Sequence, residues 1–181
     1  MTLEAAGKPG SAVRMGLRGA AAKRGVVAES AITYPDVLPG VDLEYRVGAT
    51  VVKTTVLVKS ASGIGGGVWR FPLSLDPGLT PKLNGTGGVD FVDVDGWLVG
   101  QVPTPLMWDS KADPVSGEPG AYGPVSVSLE GSAATGWTLV LTADAVWMSA
   151  KARVFPIHVD PSYNVSRSTA QDAYIRDAAA S

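Results

Sequence analysis

Val41-Asp42-Leu43-Glu44-Tyr45-Arg46-Val47 carries an apolar side chain at every odd position and a charged one at every even position. Side chains alternate between faces along a strand, so this run reads as a strand with one buried and one solvated face. The following run, Val51 to Val58, is rich in β-branched residues and is expected to pair back on it across Gly48-Ala49. Upstream, Val13, Met15 and Leu17 alternate with Arg14, Gly16 and Arg18, which predicts that this run also pairs into a sheet. Downstream the same period recurs in Trp69, Phe71, Leu73 and Leu75, in Val125, Val127 and Leu129, in Trp137, Leu139 and Leu141, and in Phe155, Ile157 and Val159.

Turn formers separate the runs: Pro35-Asp36, Pro39-Gly40, Asp76-Pro77-Gly78, Asn84-Gly85, Asp95-Gly96 and Glu118-Pro119-Gly120. Asp95-Gly96 predicts a type I′ hairpin turn, in which both central residues take positive φ. Gly63 to Gly67 lacks the Lys-Ser/Thr of a phosphate loop and reads as a flexible connection between strands. Helix is expected only at Ala20 to Lys23 and Asp144 to Ala152, and within the second Val146 and Met148 also fit a strand. Short strands at turn-separated intervals predict an all-β fold with almost no helix, an antiparallel β-sandwich or an extended two-layer one. A closed barrel is the alternative. Residues 30–163 are expected to form this domain and residues 1–29 a lead-in, with one edge strand there left open. Residues 164–181 read as the truncated start of a second domain.

The 181 residues carry a net charge of −2 and only 18% charged residues. Arg14, Arg18, Lys23 and Arg24 are the nearest thing to a basic cluster, so neither nucleic acid nor anionic lipid is expected as a partner. The absence of cysteine removes thiol nucleophiles, thiolate zinc sites and disulfides. No run of 18 apolar residues exists to span a membrane. Met1 to Gly10 lacks the basic and apolar regions of a signal peptide.

His158 is the single histidine, and a Ser-His-Asp triad would have to use it. Phe155, Ile157 and Val159 point one way and His158 the other, which places it on an outer face or under a loop. No Gly-x-Ser-x-Gly elbow accompanies it. Asp90, Asp93 and Asp95 near Gly96 resemble a calcium loop, but the twelve-residue window from Asp90 ends at Gln101 where a bidentate Glu is needed. A solvated acidic hairpin is the plainer reading, and calcium at Asp93/Asp95 stays open. Asp42, Glu44, Asp93, Asp109 and Glu130 could supply the paired carboxylates of a glycoside hydrolase, yet nothing in the spacing elevates one pair. Among five tryptophans, Trp69 and Trp137 are in phase with apolar faces and read as core. Trp97 abuts a turn and Trp108 abuts Asp109-Ser110, so these two are the candidates for an exposed carbohydrate-binding platform. No catalytic residue, metal ligand or cofactor is expected.

Two strings are specific: Tyr34-Pro35-Asp36-Val37-Leu38-Pro39-Gly40-Val41-Asp42-Leu43 and Val154-Phe155-Pro156-Ile157-His158-Val159-Asp160-Pro161-Ser162. Between them lies Pro103-Thr104-Pro105-Leu106-Met107-Trp108-Asp109-Ser110. This order resembles a β-rich domain of large secreted actinobacterial proteins, where it precedes a DNRLRE-type domain and then RHS/YD repeats. That is the architecture of cell-wall-associated and polymorphic-toxin proteins. Ser168 to Arg176 resembles the opening strand of the DNRLRE domain. The resemblance implies an extracellular or cell-wall location, a fragment lacking its signal, and the neighbouring domains of the same polypeptide as partners. It carries over no catalytic residue. The resulting expectation is a non-catalytic structural or spacer module. A carbohydrate- or cell-wall-binding module with a polysaccharide partner is the alternative, and a glycoside hydrolase-like enzyme is the remote one.

Overall fold

The computed structural model describes residues 2–6, 11–48, 51–165 and 172–176. Two antiparallel sheets face each other across one core, and among the described residues neither closes into a barrel. The first sheet orders its strands Val125–Ser132, Gly136–Ala143, Val68–Leu75, Val13–Met15, Thr2–Ala6 and Asp172–Arg176. Val13–Met15 thus pairs into a sheet as expected, but inside it, with Leu73 to Leu75 on one side and Leu3 to Ala5 on the other, and residues 1–29 supply Thr2–Ala6, Val13–Met15 and Val26–Ala28 in place of a single edge strand. Asp172–Arg176 pairs with Thr2–Ala6, setting Thr2 opposite Arg176. The rest of the stretch expected to open a second domain, residues 166–171 and 177–181, lies outside the described residues.

The second sheet begins Val26–Ala28, Ala31–Leu38, Val41–Val47, Val51–Val58. Val51–Val58 then meets two strands laid end to end: Ile157–Asp160 covers Val56 to Val58 and Tyr163–Val165 covers Val51 and Val52. Outside that composite run lies a second one, Leu106–Trp108 beside Ile157–Asp160 and Leu98–Val102 beside Tyr163–Val165. Pro103-Thr104-Pro105 and Pro161-Ser162 mark the joints, since proline cannot donate to the ladder. Val89–Val92 and Thr80–Leu83 complete this edge, and Tyr122–Gly123 flanks Leu106–Trp108.

The alternation sorts residues as read. Val41, Leu43 and Tyr45 are buried while Asp42 and Glu44 are half-exposed. Pro39-Gly40 is the two-residue turn that sets Leu38 opposite Val41, with Gly40 at φ 69°. Pro at the first turn position and a left-handed Gly at the second suit a type II turn. Pro35-Asp36 is no turn: it sits inside the strand at a bulge between Tyr34 and Leu38, with Asp36 at φ 50°. Asp42 there accepts the Asp36 N–H at 2.7 Å, and Lys59 bonds both carboxylates, holding Asp36 below the usual carboxylate range. The turn expected at Gly48-Ala49 lies partly outside the described residues; Gly48 N–H donates to the Val51 carbonyl at 2.8 Å.

Asp95-Gly96 is not a type I′ turn. Asp93 N–H donates to Trp97 O and Gly96 N–H to Asp93 O, each at 3.0 Å, so three residues separate the paired ends. Only Gly96 takes positive φ, the pattern of a type I turn followed by a left-handed bulge residue. Of the expected helices, Ala145–Ser149 forms, capped by Asp144 accepting from the N–H groups of Val146 and Trp147. Ala20 to Lys23 is irregular. The connection expected to be flexible, Gly63 to Gly67, packs against Gly40, where a Cβ on Gly63 would meet the Gly40 carbonyl.

The core is drawn from both sheets: Trp69, Phe71, Leu139 and Leu141 from the first, Leu43, Tyr45, Phe91, Ile157 and Tyr163 from the second. Thr54 faces into it, fully buried, and its hydroxyl has no hydrogen-bond partner among the described residues. Valine has the same shape without the unpaired group, so Thr54→Val is expected to raise stability by about 1 kcal/mol. A urea-unfolding midpoint unchanged or lowered by this substitution would contradict that assignment.

Candidate functional site

Met107, Ile157 and Val159 face the core, so their neighbours Trp108 and His158 emerge on the opposite, outer face of the second sheet. Trp108 is opposite His158 in register, and their rings stack with centroids 5.1 Å apart and 5° between planes. Lys53 reaches over the indole from Val51–Val58, its Nζ 5.5 Å from the ring centroid and 3.7 Å from Asp160. Ser110 Oγ donates to the Pro156 carbonyl at 2.6 Å and lies 3.2 Å from His158 Nε2. The hydroxyl bonded to the Pro156 carbonyl does not present its proton to Nε2 here, which is not the arrangement of a serine nucleophile with its histidine base. An open pocket of about 250 Å³ lies beside the stack, lined by Trp108, Ser110, Lys111, Pro119 and His158 among others.

Burial holds the His158 imidazole below its ordinary pKa; nearby Glu44 opposes this and Lys53 adds to it. The unfolded chain then binds the proton more readily than the folded one. The stabilisation is complete above about pH 6.5 and is lost as pH falls through the lower native value. As the single histidine, His158 should dominate the slope of stability between neutral and mildly acid pH. Urea unfolding at a series of pH values should show that decline, and His158→Gln should flatten it.

Asp109 belongs to a different environment. It is fully buried and accepts from Lys111 N–H at 3.2 Å, Val154 N–H at 3.3 Å and Arg153 Nη1 at 3.2 Å. Arg153 in turn lies over Trp147, 4.3 Å from its ring centroid. The other carboxylates weighed as hydrolase pairs also have bases: Asp42 with Lys59, Glu44 with Arg46, Glu130 with Arg70. Asp93 accepts the N–H groups of Asp95 and Trp97. Among the described residues no three acidic or histidine side chains gather where they could hold a metal ion.

Trp69 is buried and Trp137 packs against the core, as their phase implied. The two platform candidates do not come together. Trp97 stands 73% exposed at the hairpin tip, while Trp108 is half-buried in its stack. They occupy opposite ends of the run formed by Leu98–Val102 and Leu106–Trp108. At ~3.3 Å per residue this separates them by on the order of 30 Å. Lys53 was missed because the register that brings it to Trp108 is set by pairings far apart in sequence.

No family model and no solved structure matches the chain. Curated relatives do, and all are nucleases that act on tRNA. They include the tRNA nuclease WapA of Bacillus subtilis (strain 168), the tRNA(Glu)-specific nuclease WapA of Bacillus subtilis subsp. natto and the tRNA3(Ser)-specific nuclease WapA of Bacillus spizizenii. Each is 35% identical over 147 residues, 81% of this chain, which spans about 6% of its length. These relatives overturn the expectation of a non-catalytic structural or spacer module, together with its carbohydrate-binding and glycoside hydrolase alternatives and the reading of the protein as no enzyme. They also set tRNA against the expectation of no nucleic-acid partner. That expectation rested on the charge of this chain, which covers too little of the relatives' length to report on what they cleave. Among the described residues no helix is long and apolar enough to cross a membrane.

Proposed function

We propose that this β-sandwich is a unit of a tRNA-cleaving nuclease of the toxin type, acting outside the cell that makes it. The observation that carries the reading is the 35% identity, over 81% of the chain, to proteins named as tRNA nucleases. The extracellular or cell-wall location, and a polypeptide that continues into a DNRLRE-type domain and RHS/YD repeats, are supported by the two strings at Tyr34 to Leu43 and Val154 to Ser162. Cleavage is a property proposed for the whole protein that contains this unit.

The test uses that protein as the host makes it. Antibody to this chain, applied to cytoplasm, wall and culture fluid, should detect a band far larger than 18.6 kDa outside the cytoplasm. The protein purified from that fraction should convert total tRNA into discrete fragments on a denaturing gel. Intact tRNA would refute the nuclease reading, and a purely cytoplasmic band would refute the location.

A further inference from the structure

We propose that copies of this chain associate head to tail, the hairpin tip Asp93 to Trp97 of one copy seating on the exposed edge strand Val26–Ala28 of the next. The tip closes the hairpin of Val89–Val92 and Leu98–Val102, next to the edge strand Thr80–Leu83, whereas Val26–Ala28 is the edge strand on the other side of the second sheet, so one copy can use both surfaces at once.

The tip is an apolar knob. Val94 is 82% exposed, Trp97 73% and Leu98 38%. It is also held in shape: Asp93 accepts from the N–H groups of Asp95 and Trp97, and its own N–H donates to the Trp97 carbonyl. A rigid exposed tryptophan loses little conformational entropy when it docks, which is what makes such residues effective anchors. The edge strand is apolar as well, with Val26 60% and Val27 72% exposed, and its outer backbone edge carries no neighbouring strand among the described residues. Open edges of this kind invite association.

Charge selects these two surfaces for each other. From Leu83 to Gly100 there are three acids, Asp90, Asp93 and Asp95, and no base. From Ala20 to Ala28 there are two bases, Lys23 and Arg24, and no acid. Asp95 is exposed at the tip, and Lys23 and Arg24 are exposed immediately before the edge strand. The opposing charges nearby are Lys82, opposite Asp90 in register, and Glu29 and Asp36 near the edge strand. A negative knob therefore meets a positive ledge, with apolar area at the centre of both. Two unlike surfaces on different sides of the sheet leave a free tip and a free ledge on each pair, so copies add beyond two.

Sedimentation equilibrium of the 181-residue chain from micromolar to millimolar concentration reads this directly. The weight-average mass is expected to rise past two copies without a plateau, and added salt should weaken the association several-fold. Trp97→Ser, and separately Lys23→Glu with Arg24→Glu, should lower it at least tenfold with circular dichroism unchanged. Asp95→Lys mixed with the Lys23→Glu, Arg24→Glu chain should restore pairing between unlike copies. A monomer at every concentration, a plateau at two copies, or association indifferent to Trp97→Ser would each overturn the proposal.

Discussion

Replacing Asp109 with alanine is expected to lower stability by about 3–5 kcal/mol, as measured by urea unfolding. The carboxylate is fully buried and holds the chain at three points: the Lys111 N–H, the Val154 N–H and the Arg153 guanidinium. Alanine leaves two part-buried N–H donors without this acceptor and a largely buried cation without its counter-charge. Arg153 cannot escape to solvent without leaving the Trp147 ring, against which it is stacked. Arg153→Met should cost less than Asp109→Ala, because it removes the charge with its partner's N–H bonds still in place. If Asp109→Ala unfolds at the same urea concentration as the parent chain, the ion pair contributes nothing to the fold.

Gly100→Ala should rank second, at about 3 kcal/mol. A Cβ at this position would overlap the Tyr163 ring, with Cζ at 2.6 Å and the hydroxyl nearer still, and would lie 2.9 Å from the Asn164 carbonyl. The ring has nowhere to go: Tyr163 is 1% exposed and packs edge-on against Phe91 at 5.5 Å. Overpacking of this kind forces backbone movement rather than a change of rotamer. Shortening the ring should relieve it, so Gly100→Ala combined with Tyr163→Leu should cost clearly less than the two single changes added together. Strict additivity would mean that the methyl group is accommodated elsewhere.

Gly100 also shows where reading the sequence stops. The faces of the strands were legible, because Val41 to Val47 and Trp69 to Leu75 obey the two-residue period that burial imposes. The turn at Pro39-Gly40 was legible for a local reason, a proline and a left-handed glycine in adjacent positions. What glycine does at position 100 is decided by an aromatic ring more than sixty residues away along the chain. The same holds at Trp108: its neighbours in sequence are visible, but the stack on His158 and the reach of Lys53 follow from register between distant strands. Asp95-Gly96 misled because the dipeptide fits two turns, and the hydrogen bond from Asp93 to Trp97 selects the longer one. The expectation of no nucleic-acid partner rested on net charge, a property of this stretch alone.

Thr2–Ala6 and Asp172–Arg176 pair with Thr2 opposite Arg176, so the outer ends of the two strands lie side by side. Hydrogen bonds in an antiparallel pair run across the strands. Tension applied at residues 2 and 176 in opposite directions therefore loads these bonds one at a time, as in a zipper, instead of shearing them together. The pair should part at low force, releasing a short length of chain before the sandwich core bears any load, so that the unit yields at its clasp and keeps its body intact.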